Sequence, residues 1–177
     1  LERRNVPLQV LGREARRDHD THNGARVPFL NHALNQAATR LARVRKLDAG
    51  DGATQVAPNA VSIAEASFCD EAWFRAIYDD DVLVGFVMLY DPTLAQDPEE
   101  PDFFLWRLMI DKAHQRKGLG HMAVNLLIDY VRTRPGAKKL LVSHMSKAYP
   151  LARFYGSFGF VHTGREEDGE KVMALEL

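Results

Sequence analysis

Cysteine and long apolar segments are almost absent from this sequence of 177 residues. Cys69 is the single cysteine, so no internal disulfide can form and a disulfide-held scaffold is excluded. No apolar run approaches the roughly 20 residues of a membrane-spanning helix, and no charged start followed by an apolar stretch resembles a signal peptide. These absences predict a soluble, cytoplasmic protein that is not held in a membrane.

Metal-ligand motifs and a strong net charge are missing as well. The seven histidines and the cysteine show no metal-ligand spacing, so no metal site is predicted. The net charge is −1, although residues 1–46 hold ten Lys and Arg against four Asp and Glu, and the remainder is acidic. The basic residues are scattered without interleaved aromatics, which argues against a nucleic-acid partner. The acidic remainder favours a small cationic partner.

The chain does contain enough apolar material for a core. Hydrophobic residues make up 46% of it, and a folded chain of this length buries roughly 70% of the surface that its unfolded form exposes. We therefore predict one domain over residues 1–177. Apolar patterns predict strands at 6–11, 73–78, 82–90, 103–110, 140–143, 160–163 and 171–177, and helices at 31–44, from 62 onward, at 121–134 and from 150 onward. This order of elements predicts an α/β (α+β) sheet protein.

The most informative segment is a glycine loop over 115–120, Gln-Arg-Lys-Gly-Leu-Gly, between a predicted strand and a predicted helix. Glycines let the backbone approach a ligand closely, and the first turn of a helix offers unpaired amides to phosphate oxygens. The loop lacks the Gly-Lys-Ser/Thr ending of a nucleotide-triphosphate loop. Residues 118–123 fit a dinucleotide fingerprint, but they follow their strand too late and too little chain comes after them. A pyrophosphate cradle for coenzyme A and an ordinary glycine turn are the two remaining interpretations.

A second segment, 152–160, reads Ala-Arg-Phe-Tyr-Gly-Ser-Phe-Gly-Phe. Together with the glycine loop it resembles the GNAT superfamily of N-acetyltransferases, which carry a Gln/Arg-x-x-Gly-x-Gly/Ala signature and a later Tyr-x-x-apolar-Gly-Phe segment. The resemblance covers residues 56–177, whereas about 1–40 do not resemble the usual start of the family. It implies a mixed, mostly antiparallel central sheet flanked by helices on both faces. Segments 56–59 and 105–111 and the C-terminal hairpin are similar to those of bacterial diamine or spermidine N-acetyltransferases.

The resemblance implies acetyl-CoA as the acetyl donor and no metal. Main-chain groups of the central strand would pair with the pantetheine arm, and loop amides would hold the pyrophosphate. Tyr155 aligns with the tyrosine that gives a proton to the departing thiolate, so it is the implied catalytic acid. The implied cofactor-binding residues are Met109, Ile110, Gln115, Arg116, Lys117, Gly118, Leu119, Gly120 and His121.

The acceptor implied by the resemblance is a primary amine, a diamine or a spermidine-like polyamine, acetylated directly in a ternary complex. Polyamine acetyltransferases have a glutamate on the central strand where this chain has Trp106, so a carboxylate base is missing there. Glu65, Trp106 and Asp111 are the predicted acceptor contacts. The alternatives are an aminoglycoside or protein amine as acceptor, or a coenzyme-A-binding regulatory module without turnover. The family's fold often dimerises, which makes a homodimer one expectation.

Overall fold

A seven-stranded sheet forms the centre of the computed structural model. The structure describes residues 9–11, 43–44, 46–50, 59–145 and 149–177. The strands are β1 (Gln9–Leu11), β2 (Ala72–Asp79), β3 (Val82–Tyr90), β4 (Phe103–Ile110), β5 (Lys139–Met145), β6 (Val161–Glu167) and β7 (Glu170–Glu176). The helices are α1 (Asn59–Ala66), α2 (Leu119–Arg132) and α3 (Tyr149–Gly156), with short 3₁₀ turns at Pro92–Leu94 and Lys112–His114.

The strands lie in the order β1-β2-β3-β4-β5-β7-β6. Every neighbouring pair is antiparallel except β4 and β5, which run parallel and are joined through α2. The β2–β3 hairpin predicted around residues 79–81 is confirmed, with Asp80 at φ 52° in its turn. The closing β6–β7 hairpin turns at Asp168 and Gly169, which both have positive φ values. A short aspartate or glycine turn of this kind matches the twist of the strands it joins.

Two apolar layers cover the sheet, and alternation along β3 separates them. Val87 and Leu89 belong to the larger cluster, which includes the buried faces of α2 and α3. Phe86 and Met88 belong to the second cluster, which packs against α1. Neighbouring strand residues point to opposite faces, so a continuous apolar strand is typical of a sheet covered on both sides. The expected fold class, with helices on both faces, is confirmed.

The helix boundaries differ from the sequence expectations at two places. We expected Ser62 to start a helix as its cap, but α1 begins at Asn59 and Ser62 lies inside it, fully buried. Its hydroxyl accepts a hydrogen bond from Arg107 Nε at 3.2 Å, which is a tertiary contact rather than a cap. The helix expected at 121–134 begins at Leu119, because Gly118 adopts φ 82° and turns the chain into the first helical turn. The helix expected at 31–44 falls mostly outside the described residues.

A buried polar network joins the end of β3 to the end of α2. Asp91 has no solvent exposure, and its Oδ2 accepts a hydrogen bond from the Tyr130 hydroxyl at 2.9 Å and forms an ion pair with Arg134 Nε at 3.2 Å. Its Oδ1 accepts from the Thr93 main-chain N–H. Burial, followed by the contact with the Asp91 carboxylate, raises the pKa of Tyr130. The network anchors α2 against the sheet at the end opposite the glycine loop.

Candidate active site

The central feature of the site is a gap between β4 and β5. These strands pair only from Phe103 to Leu105 on β4, opposite residues 140–142 of β5. Beyond that point β4 continues to Ile110 and β5 to Met145, but the two strands no longer pair with each other. Two parallel strands that separate in the middle of a sheet leave a cleft between them, and the main-chain groups that face this cleft have no partner on the other strand.

A β-bulge on β4 lies where the two strands separate. The β3–β4 register pairs Leu89 with Leu105 and Met88 with Arg107, so Trp106 is an extra residue without a partner on β3. A bulge bends its strand and increases the local twist. Because the bulge follows Leu105 directly, it accounts for the departure of β4 from β5. The Trp106 ring packs against Tyr90 with ring centroids 5.6 Å apart.

The resulting cleft has a volume of about 220 Å³. Its lining comes from the separated halves of β4 and β5, from α3 and from the start of β7. The lining residues are Ala49, Leu105, Trp106, Arg107, Leu108, Met109, Ile110, Gln115, Val142, Ser143, His144, Met145, Leu151, Tyr155 and Glu170. The structure therefore brings together five of the residues singled out in the sequence, which are Trp106, Met109, Ile110, Gln115 and Tyr155.

The strand register determines which main-chain groups face the gap. The Asp111 N–H donates to the Val84 carbonyl on β3 at 2.8 Å. Main-chain groups of a strand alternate between its two edges, so those of Met109, opposite Phe86, also face β3. The groups of Leu108 and Ile110 face the gap. The prediction that Met109 offers its main chain to a ligand is therefore corrected to Leu108, whereas Ile110 has the predicted orientation.

The glycine loop follows β4 and is braced by Gln115. Its side-chain Nε2 donates to the carbonyls of Ala49 at 3.1 Å and Ile110 at 2.9 Å, so this side chain holds the loop against the end of the strand. Arg116 and Gly118 have positive φ values of 60° and 82°. Alternating left-handed and right-handed residues turn successive N–H groups toward one side, which forms an anion-binding concavity.

The amides of residues 116–121 are available to a ligand. The first helical hydrogen bond of α2 runs from the Met122 N–H to the Gly118 carbonyl. Within the described part of the chain, none of the six N–H groups before Met122 donates a hydrogen bond. The Leu119 side chain is buried in the core, and a Cβ on Gly120 would lie 3.7 Å from both Ile110 and Phe154. Packing against the core thus fixes the position of the helix start, while its N–H groups remain free to bind a ligand.

The charged and aromatic side chains around these amides are mostly exposed. Arg116 and Lys117 point to solvent, and Lys117 Nζ donates to the Ala113 carbonyl at 3.0 Å. The His121 ring packs on Phe158, with centroids 4.2 Å apart. Positive side chains beside a helix N-terminus add to its attraction for phosphate oxygens. The loop therefore fits a pyrophosphate group by its amides, its helix and its charge.

Tyr155 is the buried hydroxyl residue of the cleft. It lies on α3, is 7% exposed, and packs edge-on against Phe154 and Phe160. Within the described residues its hydroxyl makes no hydrogen bond. Burial raises the pKa of the Tyr155 phenol well above the ordinary value for tyrosine. The phenol is therefore protonated at neutral pH, and no acceptor in the described part of the chain takes its proton.

Among the three predicted acceptor contacts, Asp111 is not one of the cleft-lining residues. Its Oδ2 accepts from the Asp48 N–H at 2.9 Å and its Oδ1 from the Ala113 N–H at 3.0 Å, so this carboxylate caps the turn after β4. Its contact with an acceptor stays a prediction. Glu65 belongs to α1, but its side chain is outside the described part of the structure, so its role stays a prediction. Trp106 alone lines the cleft.

The polar cleft residues Ser143, His144 and Glu170 are not among the site residues predicted from the sequence. Ser143 and His144 lie on β5, and Glu170 begins β7. His144 is 4% exposed, its Nδ1 contacts the Met145 carbonyl at 2.9 Å, and its Nε2 has no hydrogen-bond partner. A carbonyl only accepts, so Nδ1 carries the proton of a neutral ring there and Nε2 has the lone pair. Glu170 lies 27 positions after Ser143, and no motif links it to the two neighbouring residues of β5.

Metal and membrane features are absent from the described residues. The part of the chain that the structure describes contains no group of His, Cys, Asp and Glu that could hold a metal ion. No described helix is long and apolar enough to cross a membrane.

The chain is similar in sequence and in fold to proteins of one enzyme family. The sequence model of the acetyltransferase (GNAT) family matches residues 42–160. Two proteins of Bacillus subtilis are similar over 66% of this chain and 78% of their own length. One, at 32% identity, is named "Probable spermine N(1)-acetyltransferase" (subsp. natto, strain BEST195), and the other, at 31% identity, spermine/spermidine N(1)-acetyltransferase (strain 168). A GNAT family acetyltransferase from Elizabethkingia anophelis, crystallised with acetyl-CoA bound, shares the fold. Its TM-score is 0.55 at 16% identity, over 69% of this chain and 86% of that one.

Proposed function

The chain belongs to the GNAT family of acetyltransferases, and we propose that it acetylates a diamine or a spermidine-like polyamine directly in a ternary complex. It is an N-acetyltransferase, and acetyl-CoA is its acetyl donor. The polyamine acceptor is supported by the names of the two Bacillus relatives and by the acidic charge of the chain after residue 46. The observation that carries the proposal is the β4–β5 gap, because its cleft is lined by Tyr155 and by Gln115, the first residue of the loop that carries the open amides.

The donor would lie along the separated half of β4. Main-chain groups of Leu108 and Ile110 face the gap and would pair with the pantetheine arm. The open amides of residues 116–121, with Arg116 and Lys117 beside them, would hold the pyrophosphate. Acetyl-CoA supplies a thioester whose carbonyl carbon the amine attacks, so that a C–N bond forms, the C–S bond breaks and a thiolate departs. A main-chain N–H in the gap would donate to the carbonyl oxygen as negative charge develops there.

Tyr155 is the proposed general acid. It lines the cleft, and its hydroxyl proton makes no hydrogen bond within the described residues. Burial raises its pKa, so the phenol holds its proton at neutral pH. The same burial disfavours a free thiolate and so raises the pKa of the departing thiol. The pKa values of the thiol and the phenol therefore shift in the same direction, which limits the cost of the proton transfer. Tyr155 gives its proton to the departing sulfur and regains one from solvent or from the acetylated product.

The acceptor nitrogen must lose a proton before it attacks. An alkylamine has a pKa near 10.4, so only about one molecule in a thousand is neutral at pH 7. Trp106 cannot take this proton, because indole offers a donor and no basic atom. Deprotonation therefore needs a different group or a chain of water molecules that leads out of the cleft.

A thiol-release assay tests the proposal with acetyl-CoA and a panel of amines. The panel contains butane-1,4-diamine, spermidine, an aminoglycoside and a peptide with a free amino terminus. We expect turnover on the diamine and spermidine that weakens with salt, because attraction between charges is screened. Preference for the aminoglycoside or the peptide would replace the polyamine assignment. Tight coenzyme A binding without turnover on any amine would identify a regulatory module.

The variant Tyr155→Phe tests the acid role within the same assay. It removes the hydroxyl and keeps the ring, so kcat falls by about 100-fold or more while the KM for acetyl-CoA changes little. Tyr78→Phe is the matched control, because Tyr78 is a buried tyrosine of β2 that does not line the cleft. Equal activity of Tyr155→Phe and the control would eliminate Tyr155 as the acid.

A further inference from the structure

The acidic side chain in the cleft comes from the end of the chain rather than from the central strand. Glu170 is the first residue of β7, and among the described lining residues it is the one carboxylate. The β5–β7 register pairs it with Met145, at the point where β5 has already separated from β4. The hairpin therefore places a negative charge at the opening that the bulge creates.

Glu170 is oriented by a neighbouring hydroxyl. The Ser143 Oγ donates a short hydrogen bond to Oε2 of Glu170. Within the described residues Oε1 has no partner, and the carboxylate forms no ion pair with Lys, Arg or His. The side chain is half-buried, so a positive ligand group would meet a charge that is partly desolvated. A carboxylate held by one oxygen and open at the other is suited to receive an ammonium group.

Arg107 is the other fully charged side chain that lines the cleft. Its Nε donates to the Ser62 hydroxyl at 3.2 Å, and its NH1 donates to the Trp106 carbonyl at 2.8 Å. These contacts direct the guanidinium toward α1. In the same cleft His144 and Gln115 add polar groups, while the apolar and aromatic residues include Met145, which pairs with Glu170, and Trp106. Methylene groups fit such surfaces, and an aromatic face also attracts a cation.

The chemistry distinguishes between the two ends of a diamine. A fixed carboxylate stabilises the ammonium form of a nitrogen beside it, which raises the pKa of that nitrogen. The reacting nitrogen must instead become neutral before it attacks. A carboxylate therefore assists binding without opposing the reaction when it contacts a nitrogen that stays charged throughout.

We propose that Glu170, oriented by Ser143, binds the non-reacting ammonium group of a diamine or polyamine while the other end is acetylated. This assignment rests on the proposed function and goes further, because it names the residue that selects for a second positive charge. It predicts that the enzyme distinguishes butane-1,4-diamine from n-butylamine, which has the same chain length and one amino group.

The test compares kcat/KM for these two amines at saturating acetyl-CoA. In the unmodified enzyme the diamine is preferred. In Glu170→Gln the ratio of diamine to monoamine falls by about tenfold or more, mainly through a higher KM for the diamine. The value for n-butylamine and the KM for acetyl-CoA stay within about twofold. Ser143→Ala frees the carboxylate and lowers the ratio in the same direction by a smaller factor, whereas Glu170→Asp restores part of it.

Glu166→Gln is the matched control, because it removes one negative charge from an exposed residue of the same hairpin that does not line the cleft. Equal ratios in Glu170→Gln and the control would overturn the assignment. Equal losses on both amines would also overturn it, because they would place Glu170 at the reacting nitrogen or in the scaffold. Failure of the unmodified enzyme to acetylate any amine would overturn the proposed function first, and this inference with it.

Discussion

Gly85 is the position where a single methyl group is expected to disturb both stability and catalysis. It lies on β3 opposite Ile110, and a Cβ built on it would lie 2.4 Å from the Met109 carbonyl oxygen. The same atom would lie 2.9 Å from Ile110 Cδ1 and 3.2 Å from Ile77 Cδ1. The nearest obstacle is main chain, which cannot rotate away. Gly85→Ala therefore has to move β4.

The size of the effect follows from the contact distance. A carbon atom and a carbonyl oxygen approach to about 3.3 Å, so β4 must shift by roughly 0.9 Å at Met109. Overpacking of this kind lowers the free energy of unfolding by about 1–3 kcal/mol. The shifted segment carries the main-chain groups of Leu108 and Ile110 that face the gap. A displacement near 1 Å of a positioning group lowers catalysis by about 100-fold.

The measurements are urea unfolding and steady-state acetylation of butane-1,4-diamine. We expect Gly85→Ala to lower the free energy of unfolding and to lower kcat/KM even under conditions where the variant is fully folded. Gly156→Ala is the control, since a Cβ there meets nothing within 4 Å and its φ is not positive. A Gly85→Ala enzyme that loses stability and keeps full activity would refute the link between this contact and the site.

Three further predictions concern other parts of the molecule. Gly118→Ala places a side chain at φ 82° in open space, so it meets no neighbour and adds backbone strain of about 1–2 kcal/mol to the loop conformation that presents the amides. Isothermal titration should therefore show coenzyme A binding weakened by about fivefold or more. Asp91→Asn removes the buried charge that faces Tyr130 and the partly exposed Arg134, and urea unfolding should show a loss of about 2 kcal/mol. Burial raises the pKa of Tyr155 above its unfolded value, so below about pH 10 both states hold the proton and stability is unaffected. Above that pH the unfolded state alone releases it, so the free energy of unfolding falls as pH rises, and Tyr155→Phe should make this alkaline fall less steep.

Local signals in the sequence predicted the elements that carry the donor site. The β2–β3 hairpin, the central strand and the helix after the glycine loop each depend on neighbouring residues. Gly118 is an example, because glycine adopts a positive φ more easily than any other residue type and its position in the sequence therefore indicates the turn. The signatures around 115–120 and 152–160 predicted the family, which the comparison confirmed.

Predictions that depended on tertiary contacts were less accurate. Ser62 has the sequence of a helix cap, but its hydroxyl contacts Arg107 from inside α1. Asp111 follows the central strand as a ligand residue would, yet its carboxylate is used by the Asp48 and Ala113 amides. In each case a polar side chain had several available partners, and the packing of distant segments decided among them.

The sequence by itself determined the fold class, the amide-rich loop and the position of Tyr155 in the motif of α3, because each follows from local conformation or from a short motif. The tertiary structure alone decided that β4 bulges at Trp106, that the gap opens after Leu105, and that Glu170 reaches this gap beside Ser143. These features arise from the register between strands far apart in the chain. A shift of one residue in that register would turn each side chain to the other face of the sheet.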